Sequence, residues 1–487
     1  MSIEILVNAS SQEARAAVVE NGVLQEVFLE RASRRGLTGN IYKGKVSRVL
    51  PGMQAAFIEI GLERTAFLHA SDIFDPRHAD TGIEPPRNDN IRELVAEGSE
   101  ILVQVVKDPL GTKGARLTTY ITLPSRYLVY MPHGRGIGIS ARIEVETERA
   151  RLREALAGHG SDGDGFIVRT AAEDAPAEAL RADMLYLRKL WEVVRIDGLK
   201  ARAGVLVHAD LPLRLRALRD LMTAEVDRVL VDHPAAFSEM QEFARTFMPE
   251  ALSRIELYEE VRPVFDLHHV EEEIQRSLDR KVALKSGGYL IIDQTEAMTT
   301  IDVNTGAFVG HRNLEETIFR TNLEASVAIA RQLRLRNLGG IIIIDFIDMS
   351  EAEHRKQVLQ SLEKALAGDH AKTSISSVSP LGLVEMTRKR TRESLEHLLC
   401  QPCPSCEGRG FVKTAETVCH EVFREILRQS RQFDFEQLMV LAHQDVIERL
   451  LDEESAQLAE LELLTGKPIR LQTEALYGVD QYDVVVM

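Results

Sequence analysis

Cysteine is scarce in this chain of 487 residues: there are four, Cys400, Cys403, Cys406 and Cys419. So few, and so closely grouped, exclude the disulfide framework that staples small secreted domains. Long apolar runs are missing too. The run of isoleucines at 341–344 falls far short of the ~20 residues a membrane helix needs. The opening stretch MSIEILVNASSQEAR carries an acid at Glu4 and does not read as a signal peptide. There is no fixed-period repeat and no long low-complexity linker. Positive charge is in deficit: 59 basic against 75 acidic residues give a net −16 and a pI near 5.5. That argues against a polycation coating nucleic acid in bulk, while leaving room for a local basic groove. A cytoplasmic, reducing location is expected, with no membrane association.

What is present is ordinary globular composition, 44% hydrophobic and 28% charged, over a length that suggests about three domains. Residues 1–30 alternate apolar and polar (Ile3, Ile5, Val7; Val18, Val23, Val27), which favours strands. Short strands continue from 38 to 73, broken by Gly44, Gly52 and Gly61, and resume at 101–107 and 117–121 after a surface insertion at 74–99. Helices are expected at 144–156 and 176–196, around a strand at 165–170, and an alternating α/β pattern runs from 205 to 280. A hairpin at 288–303, a helix at 314–336, a strand at 340–346 and a helix from Ser350 follow. After the cysteines come helices at 415–428 and 437–464 and a β-rich tail.

Two acidic positions stand out. In Thr299-Thr300-Ile301-Asp302-Val303-Asn304 the alternation puts Ile301 and Val303 on one face, Asp302 and Asn304 on the other. The run Ile341-Ile342-Ile343-Ile344 reads as a strand buried on both sides, closed by Asp345, a costly end unless paired or metal-bound. Two such aspartates with an amide suit a hard, oxygen-seeking cation such as Mg²⁺, which polarises phosphodiesters and acidifies water; a salt bridge at a strand end is the blander account of Asp345. Asp348 reads as a turn residue before a Ser350/Glu353 capping box, and Asp293 and Glu296 as hairpin-turn residues.

Basic residues cluster locally. Arg31, Arg34, Arg35, Lys43, Lys45 and Arg48 occupy a stretch without a single acid, leading into a strand-rich segment with Phe57 and Phe67. A basic small barrel with aromatics is a platform for unpaired bases, although an isolated phenylalanine more often belongs to a core. Arg388, Lys389, Arg390 and Arg392 form a second run able to hold phosphates. Arg181, Arg188, Lys189, Arg195, Lys200 and Arg202, mixed with Asp183, Glu192 and Asp197, read as a solvated helix face. Cys403-Pro404-Ser405-Cys406 presents two thiols where zinc wants four ligands. Cys400, Cys419, His397 or His420 would complete the set within the chain, or two chains would each give a pair. A redox role needs a thioredoxin-like βαβ context, which the pattern does not show.

Together, GNIYKGKVSRVLPGMQAAFIEIG, GFIVRTAAEDA, TTIDVNTG, GGIIIIDFIDM and CPSCEGRG, in this order and end to end, strongly resemble the RNase E/G family of bacterial endoribonucleases. The resemblance implies a multidomain α+β chain. An RNase H-like subdomain split between 1–37 and 214–279 would be interrupted by an OB-fold RNA-binding domain at 38–126 and a 5′-sensor region at 127–213. A catalytic domain at 280–399, a zinc link at 400–412 and a small C-terminal domain at 413–487 would follow. It further implies catalytic Mg²⁺ on Asp302 and Asp345 assisted by Asn304, and RNA contacts from Phe57, Phe67 and Lys113. Arg169, Thr170 and Val129 would form a 5′-monophosphate pocket, and a zinc ion shared through Cys403 and Cys406 would link a homodimer, with tetramers left open. The implied activity is single-strand-specific cleavage of rRNA precursors, such as the 16S rRNA 5′ end, and of mRNA, leaving 5′-phosphates.

Two other functional classes fit less well. A non-catalytic RNA-binding or ribosome-assembly factor would not need both Asp302 and Asp345. A nucleotide phosphotransferase would need a phosphate cradle, and Gly134-Arg135-Gly136-Ile137-Gly138 is no Walker motif.

Overall fold

The computed structural model describes residues 2–33, 35–75, 90–109, 114–157, 164–306, 314–390 and 392–487. Two compact units divide the chain, Met1–Glu396 and His397–Met487.

The first unit begins with a five-stranded sheet ordered Ile255–Leu257, Val226–Val231, Ile3–Ala9, Glu13–Glu20, Val23–Arg31. Asn21 and Gly22, both at positive φ, make the two-residue hairpin that matches strand twist. Ile3–Ala9 lies parallel to Val226–Val231, so strands from both ends of a stretch of more than two hundred residues share one sheet. Its core packs Ile5, Val7 and Val229 against Leu218 and Met240 from the helices Leu213–Leu221 and Pro234–Phe247.

Between those halves lie a barrel and a smaller sheet. Strands Ile41–Leu50, Ala55–Glu59, Ala66–His69, Arg116–Thr118 and Glu100–Lys107 close on themselves through the pairing of the first with the last. Gly44 does not break its strand. It sits inside Ile41–Leu50, where a Cβ would come within 2.5 Å of Ile58 Cγ2, so the barrel interior itself excludes a side chain there. Strands Gly136–Ile139, Gly165–Val168, Leu128–Met131 and Leu123–Pro124 form the smaller sheet, packed on the helices Glu146–Leu156 and Ala177–Lys200 through Leu128, Phe166, Leu152 and Leu180.

The last sheet of this unit is ordered Lys281–Ala283, Tyr289–Gln294, Met298–Asn304, Gly340–Asp345, Leu383–Arg388, Thr373–Val378. The expected hairpin is its second and third strands. The helix Leu314–Leu335 crosses over to bring Gly340–Asp345 parallel to Met298–Asn304, as parallel neighbours require. That helix and Ala352–Leu366 cover one face, burying Ile301, Val303, Ile342 and Ile344 with Leu333 and Leu362. The other face is open, which corrects the reading of four isoleucines as a strand buried on both sides: Ile341 is 48% exposed. Alternation rules this strand, and its apolar residues merely happen to populate both faces.

In the second unit, Leu438–Ala442 pairs in parallel with Ile469–Thr473 and antiparallel with Tyr482–Val486. Helices Ala415–Gln432, Gln444–Leu451 and Ser455–Thr465 pack around them. The single helix expected at 437–464 is therefore a strand followed by two helices. Leu438, Val440 and Ala442 are wholly buried at period two, a signal too short to outweigh the helical pattern behind it. Among the described residues, no helix is long and apolar enough to cross a membrane.

Candidate active site

Parallel pairing sets Asp302 directly beside Asp345, on strands about 4.8 Å apart, and both carboxylates point from the open face of the sheet. Asn304, two residues on and on the same face, donates its amide to Asp302 Oδ2 at 2.7 Å. Partial burial, Asp302 and Asp348 all push the Asp345 carboxyl above its usual range, because like charges resist ionising together. Three of the expected site residues thus converge at one end of two neighbouring central strands.

The segment leaving Asp345 is clamped from the crossover helix. Asn322, fully buried, accepts from the Ile347 N–H at 3.1 Å and donates to the Ile347 carbonyl at 2.8 Å. Glu315 accepts from the Ser350 N–H and hydroxyl at 3.0 and 2.8 Å. The expected capping box therefore does not form: the helix begins at Ala352, its Glu351 cap makes no side-chain bond, and Ser350 is committed to Glu315. Asp348, set aside as a turn residue, belongs to the acidic group around Asp345. Local pattern hid it, whereas a buried asparagine on an apolar helix face was a readable signal for Asn322. Asp293, read as a turn residue, lies within its strand and pairs with Arg280.

Two carboxylates and an amide are suitable ligands for a hard dication, which takes the rest of its shell from water and phosphate oxygens. Among the described residues, no cluster of three or more His, Cys, Asp or Glu is arranged as a metal cage.

On the barrel, Phe57 and Phe67 face each other across neighbouring strands, ring centroids 6.4 Å apart and nearly edge to face. His69 extends the row, 6.4 Å from Phe67. Neither phenylalanine belongs to the core, which is filled by Ile58, Leu68, Val103 and Leu117; both are half-buried on the outer surface. Lys45 and Arg48 are exposed on the adjoining strand, Arg48 opposite Phe57. Arg31 and Arg35 instead bind Glu13 and Glu30, so only part of the basic run faces outward here. Lys113 and Arg34 lie outside the described residues. The second run turns mostly inward. Arg388 is buried against Asp369 at 2.6 Å, Arg390 donates to the Gly339 carbonyl, and Arg392 lies 3.7 Å over the Phe28 ring. Lys389 alone among these is left exposed without such a contact.

In the smaller sheet, Arg169 follows the strand Gly165–Val168 and donates to the Ser125 carbonyl at 2.5 Å and to Asp220 at 2.7 Å. Thr170 is exposed with its hydroxyl 3.3 Å from Ser140, and Val129 pairs with Ile167. Asp183 is buried and not a solvated residue: its carboxylate accepts from the Ser125 hydroxyl and the Tyr127 and Leu128 N–H groups. It fixes the wall from which Ser125 meets Arg169.

In the second unit, Cys403 and Cys406 share one tight turn, with the Glu407 N–H on the Cys403 carbonyl at 2.7 Å. Glu407, Gly408 and Gly410 at positive φ continue it. The Cys406 and Ser405 N–H groups hold the Cys403 thiol below its ordinary value, a setting that favours thiolate. Cys419 is fully buried among the core residues of this unit, and burial raises its thiol to about 11.

The ribonuclease E/G family profile matches residues 122–391, the S1 RNA binding domain 37–119, and the thioredoxin-like domain of RNase E/G 402–486. The last overturns the expectation that thioredoxin-like context is lacking, and agrees with the βαβ unit built on Leu438–Ala442. The chain is 56% identical to ribonuclease G of Salmonella typhimurium (strain SL1344) and 54% to that of Haemophilus influenzae, each over the whole of both chains. It is 41% identical over 82% of its length to ribonuclease E of Synechocystis, spanning 58% of that protein.

Proposed function

From the premise that the chain belongs to the ribonuclease E/G family and is an endoribonuclease, we propose that it cleaves single-stranded RNA with Mg²⁺ held by Asp302 and Asp345. The observation that carries this reading is the side-by-side pair of carboxylates, with the Asn304 amide on Asp302. A bound Mg²⁺ would supply Lewis acidity at the phosphodiester and a more acidic water. The chain's own part is to hold the two carboxylates in register, to orient Asp302 through Asn304, and to fix Asp345 through the Asn322 clamp. Hydrolysis would break the P–O3′ bond, leaving a 3′-hydroxyl on one fragment and a 5′-phosphate on the other.

Unpaired bases would stack on Phe57 and Phe67, with His69 beside them and Lys45, Arg48 and Lys113 near the backbone. Arg169, Thr170 and Val129 would hold a 5′-monophosphate, the forked guanidinium being suited to a terminal phosphate. Cys403 and Cys406 would give two of four thiolates to a zinc ion shared with a second copy. Precursors of rRNA, including the 16S 5′ end, and mRNA in the cytoplasm are the proposed substrates.

The test is cleavage of a 5′-monophosphorylated single-stranded RNA with and without Mg²⁺. Asp302→Asn and Asp345→Asn should each abolish cleavage while RNA binding and the folded state persist. Substantial cleavage by either variant sinks the assignment.

A further inference from the structure

Beyond the end of the strand carrying Asp345 lies a cavity of about 500 Å³, within the roughly 300–1,000 Å³ range of small-ligand sites. It is walled by the chain leaving Asp345 (Phe346, Met349) and by the turn returning to Leu383, the residue opposite Asp345. Val378 and Leu381 line that turn, and Leu381 is 82% exposed. The chamber is lined by both polar and apolar groups, and two charged side chains face it. Asp348 is exposed and receives no hydrogen bond or ion pair from any described residue. Arg355 is tied by one guanidinium nitrogen to the Met349 carbonyl at 2.7 Å.

We propose that this cavity is a nucleobase subsite of the RNA substrate and that Asp348 reads guanine in it. The cavity adjoins the segment leaving Asp345, so a strand cleaved at Asp302 and Asp345 would run close to it, and an unpaired base, a flat apolar body with a polar edge, suits a lining of both kinds. Of the four bases, guanine alone offers two adjacent donors, N1–H and N2–H, to a single carboxylate. Uracil, cytosine and adenine each place an acceptor beside their donor, which the carboxylate repels. Arg355 supplies a donor for the neighbouring O6. The inference rests on the assignment of cleavage to Asp302 and Asp345.

The experiment uses A/U-rich single-stranded RNAs carrying one guanine, moved through each position flanking the scissile bond, and matched RNAs with inosine, which lacks the N2 amine. Wild type should cleave the guanine RNA about fivefold or more faster than its inosine partner at one position and equally elsewhere. Asp348→Asn should bring that ratio near one, and Leu381→Ala should slow the guanine RNA at that position only. A ratio is read within each enzyme, so a general change in turnover cancels. Equal rates for guanine and inosine at every position, or an unchanged ratio in Asp348→Asn, overturn the subsite. Cleavage surviving in Asp302→Asn or Asp345→Asn would instead overturn the assignment it rests on.

Discussion

Asp345 ends a strand whose burial alternates, and its carboxyl is raised by partial burial and by the charges of Asp302 and Asp348. A dication must displace the proton that this arrangement favours, so cation affinity should fall as pH drops through that elevated value. Mg²⁺ should raise the melting temperature at neutral pH, and the rise should shrink on acidification and vanish in Asp345→Asn; calorimetry with and without Mg²⁺ checks this apart from catalysis. Arg169 carries a second expectation. Burial raises the Asp220 carboxyl, yet Arg219 and Arg169 together bring it below the usual range, so Arg169 is preset by an anion that a terminal phosphate would join or replace. Arg169→Ala should cost ~1.5–3 kcal/mol in kcat/KM on 5′-monophosphorylated RNA and almost nothing on 5′-hydroxyl RNA; equal losses would make it structural. Asp302 and Asn304 were legible because strand alternation alone assigns their face. Asp348 was not, because Ser350 and Glu353 imitate a local cap while Ser350 is held by Glu315, 35 positions earlier in the chain.

At the scale of elements, the crossover helix works as a clamp as well as a cover. Replacing Asn322 by leucine removes both bonds to Ile347 and frees the segment after Asp345. Turnover should fall ~10–100-fold, as small misplacements of reacting groups do, while KM for RNA changes little; a loss confined to KM would refute the clamp. The junction of barrel and smaller sheet is aromatic: His133 stacks on Phe74 at 4.3 Å and meets Trp191 edge-on. Burial pushes the His133 imidazole down. The unfolded chain therefore binds its proton first, and stability present above pH ~6.5 is lost as pH falls through the lower folded value. His208 and His268 shift in the same direction, so His133→Phe should flatten, without abolishing, the fall in melting temperature between neutral and mildly acid pH. The sequence showed the long helices well, since their apolar stripes span many turns. It hid Leu438–Ala442, whose strand character depends on Ile469–Thr473 and Tyr482–Val486 lying on either side.

For the whole molecule, the proposed zinc-linked dimer is tested in the second unit. Cys403→Ala or Cys406→Ala should release zinc and convert a dimer into a monomer, measured by metal content and light scattering; one zinc per monomeric wild-type chain would refute the shared site. The five-stranded sheet has a consequence for synthesis. Its central strand, Ile3–Ala9, takes its parallel neighbour from Val226–Val231, so on the ribosome the first hairpin emerges with an open edge. At ~5–20 residues per second, roughly 200 further residues keep that edge waiting for about 10–40 s. The barrel can close in the meantime, since its pairings lie between residues 41 and 118. The nascent chain would thus own an RNA-gripping surface well before Asp302 and Asp345 exist, and an unpaired edge in that interval invites chaperones or a neighbouring nascent copy.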